Sequence, residues 1–183
     1  MIERIINVLL FLYPNVTNAN AKWIQNGITI AGENEQGNAM NQLSDSYGLY
    51  VDDDQTVYIA DCANNRIVEW KCGATTGRVV VGGNGKGNRS DQLYCPTDVA
   101  IDKERNSLII CDYQHETVVR WSRQNGKNGE TIISNVRCYG LTMNDDRFLS
   151  IVDYDKHEVK RVRMRENQET VVADGNRCGN RLD

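Results

Sequence analysis

His115 and His157 are the only imidazoles in a chain of 183 residues, and each follows closely on an aspartate, Asp112 or Asp153. Two imidazoles on neighbouring structural units would suit a divalent metal. The surrounding residues do not complete such a centre. The chain has no G-x-S-x-G elbow and no H-E-x-x-H pair. The Gly-rich run 82–87 resembles a phosphate loop, but no helix follows it to supply amides and a dipole, so it reads as an inter-strand loop. Six cysteines form no C-x-x-C and no Cys/His cluster, which speaks against zinc, and their even number suits disulfides. No catalytic residue, metal or cofactor is therefore assigned, and the two histidines read as turn residues.

The elements that carry these residues repeat. Asp61-Cys62-Ala63-Asn64-Asn65-Arg66-Ile67-Val68-Glu69-Trp70 returns as Asp112-Tyr113-Gln114-His115-Glu116-Thr117-Val118-Val119-Arg120-Trp121, and a third copy runs from Asp153 to Val162. Repeats of this length build solenoids, arrays or propellers. Each unit consists of short apolar runs bounded by Gly, Asn and Asp, the pattern of antiparallel strands joined by turns. The first unit places strands at 27–32, 48–52, 57–61 and 67–70, the second at 78–82, 98–102, 107–112 and 117–121, and the third at 131–134, 140–144, 148–153 and 158–162. The expectation is an all-β protein built of four-stranded antiparallel β-propeller blades, at about 27–71, 77–122 and 130–163, with the start of a fourth at 169–183. The last residues, Gly179-Asn180-Arg181-Leu182-Asp183, repeat Gly87-Asn88-Arg89-Ser90-Asp91, so the ring is expected to be partial and open, three blades and one strand of a fourth. Asp61, Asp112 and Asp153 close the third strand of each unit and are expected to cap the following turn by accepting hydrogen bonds from the next two or three amides.

Residues 57–68, with Val57-Tyr58-Ile59-Ala60 leading into Asp61-x-x-Asn64-Asn65-Arg66-Ile67-Val68, resemble NHL repeats. So does the run 82–88 followed by Gln92-Leu93 and Pro96. The likeness extends from about residue 27 to the C-terminus and weakens in the third unit, which lacks the Gly-rich loop and the proline. It implies a β-propeller, often six-bladed, that binds a protein or glycan through its loops. It also leaves room for an extracellular lyase-like or lactonase-like enzyme, whose site would lie in blades beyond this chain, and for an RNA-binding propeller. A formal charge of −4 and a pI near 5.3 supply no field to attract phosphate backbones, which places nucleic acid last.

Residues 1–21 resemble a signal peptide, with an apolar run at 5–13 and an Ala19-Asn20-Ala21 cleavage pattern, so the propeller is expected over 22–183 of an extracellular protein; the alternative is a remnant of a preceding repeat in a cytoplasmic one. The apolar run is too short to span a membrane. Asn88-Arg89-Ser90 is a glycosylation sequon. In a propeller, the loop before the second strand and the turn after the third emerge on one side of the ring. That placement pairs Cys62 with Cys95 and Cys111 with Cys138 and leaves Cys72 and Cys178 without mates. Recognition is expected on the same side, with Arg66, Arg89, Tyr113, His115, Tyr154 and His157 as contacts, because aromatic and Arg side chains carry disproportionate binding energy. Peptide mapping under non-reducing conditions is expected to recover both cystine pairs; six free thiols would refute them.

Overall fold

The computed structural model describes residues 29–124, 126–164 and 168–174. They form three four-stranded antiparallel sheets, each in chain order. The first contains β1 (Ser46–Val51), β2 (Val57–Asp61), β3 (Arg66–Trp70) and β4 (Arg78–Gly82). The second contains β5 (Pro96–Asp102), β6 (Ser107–Asp112), β7 (Thr117–Ser122) and β8 (Glu130–Ser134), with a single 3-10 turn, Tyr113–His115, between β6 and β7. The third contains β9 (Cys138–Met143), β10 (Phe148–Asp153), β11 (Glu158–Arg163) and β12 (Gln168–Asp174). The three sheets stand as successive blades, with β5 between β1 and β9, and they do not close into a ring.

The backbone repeats as strictly as the sequence. In each blade the turn after the first strand holds a left-handed residue, Gln55, Asn106 or Arg147, and the turn after the second holds another, Asn65, Glu116 or His157. Asn and His accept that conformation more readily than Gln, Glu and Arg do, so at Gln55, Glu116 and Arg147 the turn is imposed by the strands it joins. Gly82, also left-handed, ends β4 against the carbonyl oxygen of Asn65, a position with no space for a Cβ.

Every residue of β2 and of β6 is buried, because each of those strands is covered on both faces. Tyr58, Ala60 and Ile67 of blade 1 pack against Val99, Leu108, Ile110 and Trp121 of blade 2. Ile109, Cys111 and Val118, on the opposite face of blade 2, pack against Leu149, Ile151 and Val162 of blade 3. Fully burying one such side chain stabilises by roughly 1.5–3 kcal/mol. No blade retains that contribution without its neighbour.

The units differ from the sequence expectation by one strand. Arg78–Gly82 does not open the second blade; it pairs with β3 as the outer strand of the first. Glu130–Ser134 likewise pairs with β7, and Gln168–Asp174 pairs with β11, so it completes the third blade and does not begin a fourth. Residues 29–32 form no strand, and Ile30 and Ala31 pack on the outer face of blade 1 beside Val57, Ile59, Val68 and Trp70. Connection length explains the shift: 71–77 is short enough for a hairpin, whereas 83–95 is the long crossing to the next blade. The aspartates therefore end the second strand of each blade, not the third. The signal-like segment 1–21, Cys178 and the final partial repeat lie outside the described residues.

Asp61 shows what holds the crossing segments down. Its Oδ1 accepts from the amide of Ser44, at 2.8 Å, and its Oδ2 from Asn64 Nδ2 and Arg66 Nε, at 2.9 and 2.7 Å. Arg66, 4% exposed, donates onward to the carbonyls of Asn38, Ala39 and Gln42. Replacing Arg66 by Ala leaves a buried carboxylate without its cation and is expected to cost about 3–5 kcal/mol. Urea denaturation measures it, and a loss below about 1 kcal/mol would contradict this account of the loop.

Candidate ligand-binding face

The expected cap on the following amides is found only at Asp153; the Asp61 and Asp112 carboxylates are taken up by the incoming segment and by side chains of the turn. Asp112 Oδ1 accepts from the amide of Tyr94, at 2.8 Å, as Asp61 accepts from Ser44, so both reach back to the segment entering their own blade. Asp153 accepts from Lys156 N, at 3.4 Å, within its own turn. The entries are tied across blades as well. Cys62 is bonded to Cys95 and Cys111 to Cys138, the two pairs named above, with Cα separations of 4.1 and 5.1 Å. Asn65 Oδ1 accepts from Cys95 N, and Val136 N donates to Glu116 O. All of these ties lie on one side of the molecule, where the second-to-third-strand turns meet the inter-blade crossings.

Those ties redistribute the residues expected to make contacts. Arg66 is buried and clamps the loop 38–42, so it is unavailable to a ligand. His115 turns inward: its Nδ1 is 2.7 Å from Asp112 Oδ2, the place that Asn64 takes in blade 1. His157 stands one position further along its own turn and lies beside Tyr154, so the histidines are not counterparts. Arg89 is exposed and pairs with Asp91 inside its loop, and Asn88 next to it is exposed. Among the described residues no group of three or more His, Cys, Asp or Glu is placed to hold a metal ion, and no helix is long and apolar enough to cross a membrane.

Four tyrosines from all three blades meet on this side. Tyr47 opens β1, Tyr113 lies in the turn after β6, Tyr139 is on β9 and Tyr154 follows β10. Ring centroids are 5.8 Å apart for Tyr47 and Tyr139, 6.0 Å for Tyr113 and Tyr139, 6.1 Å for Tyr113 and Tyr154, and 5.7 Å for Tyr139 and Tyr154. Most of these contacts are edge-on, the arrangement that ring quadrupoles favour. Tyr47, Tyr139 and Tyr154 are 44%, 41% and 52% exposed. The Arg137 guanidinium lies over the Tyr113 ring at 5.6 Å and is held by Glu116 and Asp155. Tyr113, Tyr154 and His157 are among the contacts expected from the sequence, and Tyr47, Tyr139 and Arg137, which the structure places beside them, are not. The recurrence of Tyr-Gly-Leu at 47–49 and 139–141 was the available signal.

Asp98 lies beside this cluster. It occupies on β5 the position that Gly48 and Gly140 hold on β1 and β9, and its carboxyl lies against both glycines, each the chain neighbour of a cluster tyrosine. A Cβ at residue 48 would overlap Asp98 Oδ1. Oδ2 accepts from Leu141 N across the blade boundary, at 2.9 Å, and Oδ1 from Val99 N, at 2.9 Å. Burial raises the pKa of Asp98, and the two amides only partly offset it.

A groove of about 650 Å³ also opens between blades 1 and 2, lined by Tyr58, Glu69, Arg78, Arg123 and Lys127 among others. Several of its polar groups are already paired. Arg123 bonds Asp52 and the Tyr58 hydroxyl and so stitches blade 2 to blade 1, while Arg78 pairs with Glu69 within blade 1.

Solved structures with this arrangement of sheets include a chain of a nidogen/laminin complex, at 18% identity and a TM-score of 0.59 over 72% of this chain and 49% of that one. The fold is a β-propeller. A streptogramin B lyase matches at 14% identity and a TM-score of 0.53 over 71% of this chain and 41% of its own. The virginiamycin B lyase of Staphylococcus aureus matches at 13% and 0.51, over 78% and 46%. The chain thus spans less than half the length of each of these propellers. No protein-family model matches the chain, and no curated protein sequence does.

β5 lies between β1 and β9, and the Asp98 carboxyl touches residues of both. Its raised pKa means that folding makes ionisation of this carboxyl harder than it is in the unfolded chain. The ionised form therefore lowers stability at neutral pH, and the penalty fades as pH falls through the folded pKa toward the unfolded value of about 3.9. Asn offers one acceptor oxygen where the carboxylate offers two, so Asp98→Asn is expected to lower the thermal midpoint and to abolish the gain that the wild type shows as pH falls from 7 toward about 4. Parallel pH profiles for the wild type and the variant would contradict the burial cost assigned to Asp98.

Proposed function

We propose that the chain is part of an extracellular, NHL-type propeller that binds a protein or glycan without catalysing a reaction, and that the tyrosine cluster is its contact surface. The observation that carries this reading is the meeting of Tyr47, Tyr113, Tyr139 and Tyr154 from three blades, with three of the four rings more than 40% exposed. Tyrosine supplies large contact area at low conformational cost and retains a hydroxyl for hydrogen bonding. The backbone beneath the rings is bolted by two disulfides and two aspartate anchors, so little ordering is needed on binding. Disulfides of this kind persist in oxidising compartments. The matching chain from the nidogen/laminin complex belongs to a protein–protein assembly, which supports a partner of that kind.

Screening the purified protein against arrays of extracellular proteins and glycans tests the proposal. The double variant Tyr139→Ala/Tyr154→Ala is expected to lose at least about tenfold in affinity for whatever the wild type retains. Equal binding by the variant, or no ligand for the wild type, would overturn it.

A further inference from the structure

We infer, building on that reading, that the ligand enters this face with an arginine side chain of a protein partner, stacked on Tyr47 and Tyr139 with its charge directed at Asp98. The molecule already contains the template for such a contact. Arg137 lies over Tyr113 at 5.6 Å, with Glu116 at 2.6 Å and Asp155 at 3.2 Å as its counter-charges. A guanidinium favours this combination, since it stacks on an aromatic face while its edge donates to a carboxylate. Tyr47 and Tyr139, 44% and 41% exposed, offer the second aromatic pair.

Asp98 offers the second carboxylate. Its hydrogen-bond partners are two backbone amides, one on each oxygen, and no cation is among the influences on its charge. A carboxylate has about four lone-pair sites, so two remain for an incoming donor. Gly48 packs directly against Oδ1, whereas Gly140 stands farther from Oδ2, with no side chain at either position. Other cations on this side have intramolecular partners: Lys86 lies over Tyr94 at 5.4 Å, Arg89 pairs with Asp91, and Lys156 and Lys160 face Asp153. A buried carboxylate without a cation is costly to keep charged, and a partner's guanidinium would relieve that cost on binding.

Tyrosine fluorescence or NMR titration with acetyl-Gly-Arg-Gly-amide, compared with the same peptide carrying citrulline, provides the test. The arginine peptide is expected to saturate the wild-type protein at millimolar concentration, and neutral citrulline to bind at least about tenfold more weakly. Asp98→Asn and Tyr139→Ala, each confirmed as folded by thermal unfolding, should weaken the arginine peptide by a similar factor. Equal binding of the two peptides, or no binding of the arginine peptide, would overturn the inference. An array ligand that needs Tyr139 and Tyr154 but ignores Asp98→Asn would sink this inference alone; one that ignores the tyrosines would sink the binding-face reading.

Discussion

A four-stranded sheet that is apolar on both faces cannot shield itself, and everything else in this protein follows from that constraint. Blade 2 makes the point most directly. Ile110 and Val119 face blade 1 while Cys111 and Val118, their immediate chain neighbours, face blade 3. A strand of that kind gains its stability from contacts on both sides, so the blades fold as a stack or not at all. Where the second cover is thinner, the composition changes: at the open face of blade 3 the positions corresponding to Ile109 and Cys111 are Ser150 and Val152, and Val152 is 43% exposed.

Packing of this type sets the spacing of the blades but not the height at which their ends finish. That is settled by polar ties on one side of the stack. Asp61 and Asp112 pull the incoming crossing onto their own blades, and the two disulfides join the turn after β2 and the end of β6 to the entry of the following blade. On the opposite side Arg147 to Asp102 and Arg123 to Asp52 act across the same two junctions. With both ends secured, turn residues that would otherwise be mobile become rigid platforms. Tyr113 and Tyr154 occupy such turns, which explains how exposed rings on separate blades come to lie about 6 Å apart.

Much of this architecture was legible because it is local. Strand positions follow from apolar runs, the repeat from Asp61 and its counterparts, and the cysteine pairing from which side of a propeller each turn must occupy. The blade boundary was not legible, since 78–82 and 67–70 are equally apolar and only the length of 71–77 against 83–95 says which neighbour each strand joins. Arg66 was misjudged for a related reason. Arginine in a turn reads as solvent-facing until the loop 38–42, 24 or more residues earlier in the chain, is seen to fold over it. The tyrosine cluster demanded long-range information of the same kind. Tyr47 and Tyr139 lie two blades apart in sequence, and nothing local reveals that β1 and β9 approach each other across β5.

The shortened third unit gives the face its shape. Between blades 1 and 2 the long crossing 83–95 carries Leu93 into the core and arches over the entry with Lys86 resting on Tyr94. Between blades 2 and 3 only 135–137 remain. Val136, fully buried, does the work of Leu93, and Arg137 turns outward onto Tyr113. No loop comparable to 83–95 precedes blade 3, and Tyr139 and Tyr154 are 41% and 52% exposed. Stability in this region rests instead on the Cys111–Cys138 bond, on Thr97 Oγ1 donating to Cys138 O and on Asp98 accepting from Leu141 N, none of which needs the missing loop. A junction that gives up its loop yet keeps three independent cross-blade ties can leave aromatic surface open without loosening the blades beneath it.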